Sequence, residues 1–156
     1  MAVARSGSRH AVAARMCLLL LAGAVAGPAG AIDVPGTNTG AIPDNDPAGR
    51  LVSFNLAGMT SPVTSVEVQL DLTHTFTGDL TATLRSPGGL ATLVILGRTG
   101  VQTGTNFGAS ANLGGLYRFD DGAPGDLKSV ALPLATGAIV PPGRYRTSTA
   151  GVSATL

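Results

Sequence analysis

The sequence predicts an all-β fold, an antiparallel β-sandwich or jelly roll, and three observations carry that prediction. In residues 63–72 the apolar Val66, Val68, Leu70 and Leu72 recur at every second position with Glu67, Gln69 and Asp71 between them, the period of a strand buried on one face. Leu80, Ala82 and Leu84 alternate with Thr81, Thr83 and Arg85 in the same way. Ser86-Pro87-Gly88-Gly89 then supplies a turn, with Pro at its preset φ and Gly where φ turns positive. Short strands separated by such turns, with no helical period after the first 31 residues, are the pattern of a sandwich.

The elements follow in order. Arg5, Arg9 and Arg15 precede an apolar run over 16–26 that is too short to span a bilayer, and Ala29-Gly30-Ala31 places small residues where a signal peptidase reads. This predicts a signal peptide over 1–31, cleavage after Ala31, a secreted protein (extracellular or periplasmic) and no membrane span in the mature chain. Cys17 stands at the start of the apolar run, whereas a lipoprotein cysteine stands at its end, so it leaves with the leader.

Removing the leader changes the balance of charge. Seven basic residues then face nine acidic ones, a formal charge of −2, which excludes a basic nucleic-acid surface. No cysteine remains, so the exported chain is held by its core or by metal ions and not by disulfides. The 125 residues after Ala31 suit one domain able to bury a core.

Within that domain, 32–47 is rich in Pro, Gly, Asn and Asp and is expected to be a leading segment with little structure of its own. The sandwich proper spans 48–156. Strands are expected over 50–56, 63–72, 79–85 and 90–96, followed by a Gly-, Asn- and Thr-rich surface loop over 97–115. Tyr117 and Phe119 re-enter the sheet, and 120–127 turns again. No helix is expected after the leader.

Three motifs carry a family resemblance: DLTHTFTGDL from Asp71 to Leu80, LRSPGG from Leu84 to Gly89, and FDDGA from Phe119 to Ala123, in that order. Over residues 42–145 the chain resembles the P domain, or homo B domain, of the proprotein convertases. That resemblance implies a galactose-binding-like jelly roll beside a subtilisin-like serine peptidase, non-catalytic itself, that assists the enzyme's folding and stability. P domains usually end in two further strands with a Gly-x-Trp-x-Leu pattern. This sequence has no Trp and ends at Leu156 in a Thr-, Ser- and Ala-rich stretch, so the expectation is a sandwich whose last strands are missing, with an open sheet edge.

Little of the chain suggests catalysis. His74 is the one histidine outside the leader, and neither a Gly-x-Ser-x-Gly elbow nor a subtilisin-type serine motif accompanies it, so it is read as a turn residue. The carboxylates matter more. Asp71, Asp79, Asp120 and Asp121 lie in the family-matched segments, and grouped carboxylates with loop carbonyls are what Ca²⁺ requires. The resemblance implies calcium as well, since some P domains bind it. The competing reading is that Asp79 bonds its own backbone and that Asp120 and Asp121 solvate a loop; Asp44 and Asp46 in IPDNDP are open to the same two readings. The expected partner is a peptidase domain or another extracellular protein. A carbohydrate-binding module or an adhesive surface protein is the alternative; with only Tyr117, Tyr145 and four Phe, aromatic platforms for sugars are scarce.

Overall fold

The structure is a computed structural model that describes residues 2–5, 13–22, 31–60, 62–101, 107–149 and 152–153. Among the described residues its strands are β1 (Ala2–Arg5), β2 (Ala13–Ala22), β3 (Ala31–Pro35), β4 (Gly40–Ala41), β5 (Arg50–Val52), β6 (Val63–His74), β7 (Thr81–Arg85), β8 (Thr92–Gly97), β9 (Leu113–Phe119), β10 (Gly143–Tyr145), β11 (Ser148–Thr149) and β12 (Val152–Ser153), with one α-helix, α1 (Leu127–Ala131), and two single turns of 3₁₀ helix. The fold is all-β. No helix among the described residues is long and apolar enough to cross a membrane.

The strands form two sheets. One runs β12-β11-β8-β7-β1-β5; the other runs β10-β9-β6-β2-β3, with β4 also on β2. Alternation along β6 does what its period predicts. Val68, Leu70, Leu72 and His74 are buried while Asp71 and Thr73 are exposed, and β9 lies antiparallel with Val68 opposite Phe119 and Leu70 opposite Tyr117. β7 and β8 pair from Thr81↔Gly97 to Arg85↔Thr92, with a register shift after Ala82. Val52, Ala82, Ile95 and Leu96 of the first sheet join Val68, Leu70, Leu72, Tyr117 and Phe119 of the second in a single hydrophobic cluster. Burying each large side chain of this kind contributes about 1.5–3 kcal/mol.

Several expectations differ from what is observed. Two pairings are parallel, β11 on β8 and β10 on β9, the latter because the chain between β9 and β10 crosses over through α1 and does not return as a hairpin. α1 forms where no helix was expected. Asp126 caps it, its Oδ1 accepting from the backbone N–H of Lys128 at 2.9 Å and Ser129 at 3.3 Å, and a helix of five residues is too short to show a period in sequence. The 32–47 segment is less bare than its composition suggests. It holds most of β3 and all of β4, buries Val34 and Ile42, and bonds through Thr37 to Ser53, just past β5. The strand expected over 50–56 ends at Val52.

The N-terminal 31 residues, read as a leader, supply β1, β2 and the first residue of β3, so that backbone from this region enters both sheets. Of the residues thought to mark the cleavage site, Ala29 and Gly30 lie outside the described residues, as do 23–26 of the apolar run. Part of the expected 97–115 loop, 102–106, lies outside them too.

Candidate functional site

The DLTHTFTGDL motif ends β6 and folds into a tight crossing. His74 is the last residue of β6, 1% exposed and opposite Leu113. Phe76 then takes the left-handed conformation (φ 61°), an uncommon state for an aromatic residue that costs about 1–2 kcal/mol. Thr77–Asp79 makes one turn of 3₁₀ helix.

The cost of that bend is offset by bonds to a distant segment. Thr77 donates to the Ala111 carbonyl from its backbone N–H at 2.8 Å and from Oγ1 at 2.7 Å, and the Gly78 N–H donates to the Ala109 carbonyl at 3.0 Å. The Phe76 N–H donates to Asn112 Oδ1 at 3.2 Å, while Asn112 Nδ2 donates to the Gly137 carbonyl. Arg98 joins from the end of β8, its Nε donating to the Gly78 carbonyl at 3.1 Å. Gly78 is required here by space. A Cβ on it would sit 2.3 Å from the Phe107 carbonyl oxygen and 2.9 Å from the Gly108 Cα, so the two backbones touch where the segments cross.

The four carboxylates proposed for calcium lie on β6, in the 3₁₀ turn and in the turn after β9. Asp71 is exposed on β6, opposite Leu116. Asp79 closes the 3₁₀ turn. Burial pushes its carboxyl up from the ordinary 3.8; Arg98 opposes the rise and Asp44 adds to it. Asp120 is 8% exposed and grips Arg144 with both oxygens, Nε at 2.6 Å and Nη2 at 2.8 Å. Glu67 approaches the same guanidinium at 3.6 Å, and these carboxylates hold Arg144 above its usual range, the Asp120 hydrogen bond most of all. Asp121 is exposed in the following turn. Among the described residues no three carboxylate, histidine or cysteine side chains are grouped as a metal would need. Asp46 acts as a turn residue, its Oδ1 accepting from the Ala48 N–H at 2.9 Å.

The tyrosines considered as sugar platforms are internal. Tyr117 is fully buried, its hydroxyl donating to the Val140 carbonyl at 2.7 Å and accepting from the Gly114 N–H at 3.1 Å. Tyr145 is 6% exposed, packs 6.3 Å from Tyr117 and 6.5 Å from Phe119 between ring centroids, and donates to the Pro141 carbonyl. Burial raises both phenols above their ordinary value. Sequence reasoning missed Asn112, Arg98, Glu67 and Arg144. Asn112 lies 36 residues from Phe76 and Arg144 lies 24 from Asp120, so no local spacing signals either partnership.

No protein-family model, no curated protein and no solved structure matches this chain.

Proposed function

We propose that this chain is a secreted, non-catalytic β-sandwich module of the P-domain kind, which stabilises a subtilisin-like serine peptidase or mediates extracellular interactions. The observation that carries the reading is how DLTHTFTGDL is used. His74 is buried, and Phe76, Thr77 and Gly78 are engaged in holding the 107–112 segment. Those residues are committed to architecture, which suits a module that lends stability. The one hydrophobic cluster shared by the two sheets supports a sandwich. Buried Tyr117 and Tyr145 leave neither ring free as a sugar platform.

The test has two arms. The purified exported chain is expected to give no turnover of casein or of nitrophenyl esters, and to slow the thermal inactivation of a subtilisin-like peptidase added in trans. Turnover that is lost in His74→Ala while the β-sheet circular dichroism persists would overturn the non-catalytic reading. Unchanged inactivation of the peptidase would restrict the module to other extracellular partners.

A further inference from the structure

We propose that the position beside β6 is an exchangeable strand site: when the leader is removed, it takes an extended apolar strand of about ten residues from another polypeptide, antiparallel to β6. The proposal rests on the secretion reading above and names the partner class it implies.

The register defines the site. β2 runs antiparallel to β6 from Ala14↔Leu72 to Ala22↔Val63, with one irregularity between Leu21 and Ala22. Among the described residues, β3 and β4 reach this sheet only by pairing with β2. Cleavage after Ala31 therefore removes the strand that joins β6 to its neighbours on that side. β9 still covers the opposite edge from Val68 to His74. What remains is an edge over Val63–Leu72, the stretch that β2 had covered, in a strand of 12 residues, about twice the ordinary length, whose Val68, Leu70 and Leu72 are buried. No Lys or Pro interrupts it. Natural edges of this length are usually blunted by such residues, by a bulge or by a covering segment.

The strand seated there states the chemistry of its replacement. Its sequence is AARMCLLLLA, in which Leu18 to Leu21 stand opposite Val68 to Ser65. A run apolar at successive positions is the composition of a strand covered on both faces. Residues 32–156 carry no second run of this length and kind, and the donor proposed is a different polypeptide. The site beside β7 that β1 occupies is smaller, its pairing limited to the four residues Ala2–Arg5.

Cys17 provides the test, because it stands opposite Gln69. Gln69 alternates with buried Val68 and Leu70 and so lies on the outer face of β6. The exported chain carrying Gln69→Cys is oxidised with a synthetic peptide of residues 13–22 flanked by lysines. Glu67→Cys and Asp71→Cys are the controls, each displaced along the strand by about 7 Å and hence beyond disulfide reach of the peptide thiol in this register. Capture of the peptide at position 69 about tenfold over both controls, and its loss for a peptide with Leu19→Pro and Leu20→Pro, is the expected result. Equal capture at all three positions, or a disulfide-linked homodimer of the Gln69→Cys chain as the main product, would overturn the proposal. N-terminal sequencing of the same sample separates the two premises. A chain starting at Ile32 leaves the crosslink to decide the strand site. A chain starting at Met1 with an internal disulfide from Cys17 to position 69 refutes the secretion reading, and makes β2 a permanent strand and not an exchangeable one.

Discussion

Substituting Gly78 by alanine adds one methyl group at the point where the motif turn touches the 107–109 backbone. The new Cβ would lie 2.3 Å from the Phe107 oxygen, 2.9 Å from the Gly108 Cα and 3.0 Å from the Ala109 nitrogen, and none of these atoms belongs to a side chain that can rotate away. Gly108 cannot yield easily, since it sits at φ +81° with its own Cβ position 2.6 Å from the Thr99 carbonyl oxygen. Relief requires the segments to part, which costs about 1–3 kcal/mol of overpacking and weakens the Gly78-to-Ala109 and Thr77-to-Ala111 bonds, each worth about 1 kcal/mol. The reduced freedom of alanine in the unfolded chain returns about 0.4–1 kcal/mol. The net loss expected is about 2–4 kcal/mol, a drop in Tm on the order of 10 °C for a domain of this size. Gly88→Ala is the control: Gly88 has φ +74° but nothing within 4 Å of its Cβ position, so it tests conformational strain alone at about 1 kcal/mol. Thermal and urea melts of the two variants should differ by at least half the predicted gap. Equal melts would refute the argument that the motif glycine exists to let two backbones touch.

Tyr117→Phe should cost about 1–3 kcal/mol in urea unfolding, because the Val140 carbonyl and Gly114 N–H are left without the hydroxyl they share; an unchanged midpoint would show that water replaces it. Asp126→Ala should cost about 1 kcal/mol through loss of the α1 cap and Asp126→Asn clearly less, a ranking that denaturant midpoints would reverse if the cap were idle. Asp79 has its carboxyl raised above 3.8 in the folded state, mainly by burial, so the folded chain binds this proton more tightly than the unfolded one. The stability of the wild type relative to Asp79→Asn should therefore fall as pH rises from about 3.8 through the raised folded value, and a difference that grows instead would contradict the sign. Calcium at the acidic turns is tested by melts with the metal and with a chelator. Asp120 is already engaged by Arg144, so a shift of several degrees that Asp79→Ala abolishes would support calcium at the other acidic turns, and coincident melts would refute the site read from sequence.

Local chemistry made much of the fold legible. The period of two in β6 appears as buried and exposed faces, Tyr117 and Phe119 do re-enter a sheet in β9, and Ser86 to Gly89 turns with both glycines at φ 74°. These features depend on a residue's own dihedral preferences and on neighbours two positions away, which is the range over which sequence pattern speaks. α1 was missed because one cap and five residues leave no period to count, and the 32–47 segment was underrated because Pro- and Gly-rich composition does not reveal that Val34 and Ile42 find a core.

By itself the sequence determined that this is a strand-built chain, where its longest strand, β6, lies and which face of it turns inward, because alternation is a local property of the polypeptide. The tertiary structure alone decided what the motif residues do. Asp79 closes a turn beside Arg98, Asp120 is taken by Arg144, His74 is buried, and Gly78 marks a backbone crossing with a segment some thirty residues away. It also decided that residues 13–22 pair with β6. Each of these outcomes depends on which distant group arrives within bonding distance, and that is set by how the sheets pair and pack, a matter on which the spacing of residues along the chain carries no information.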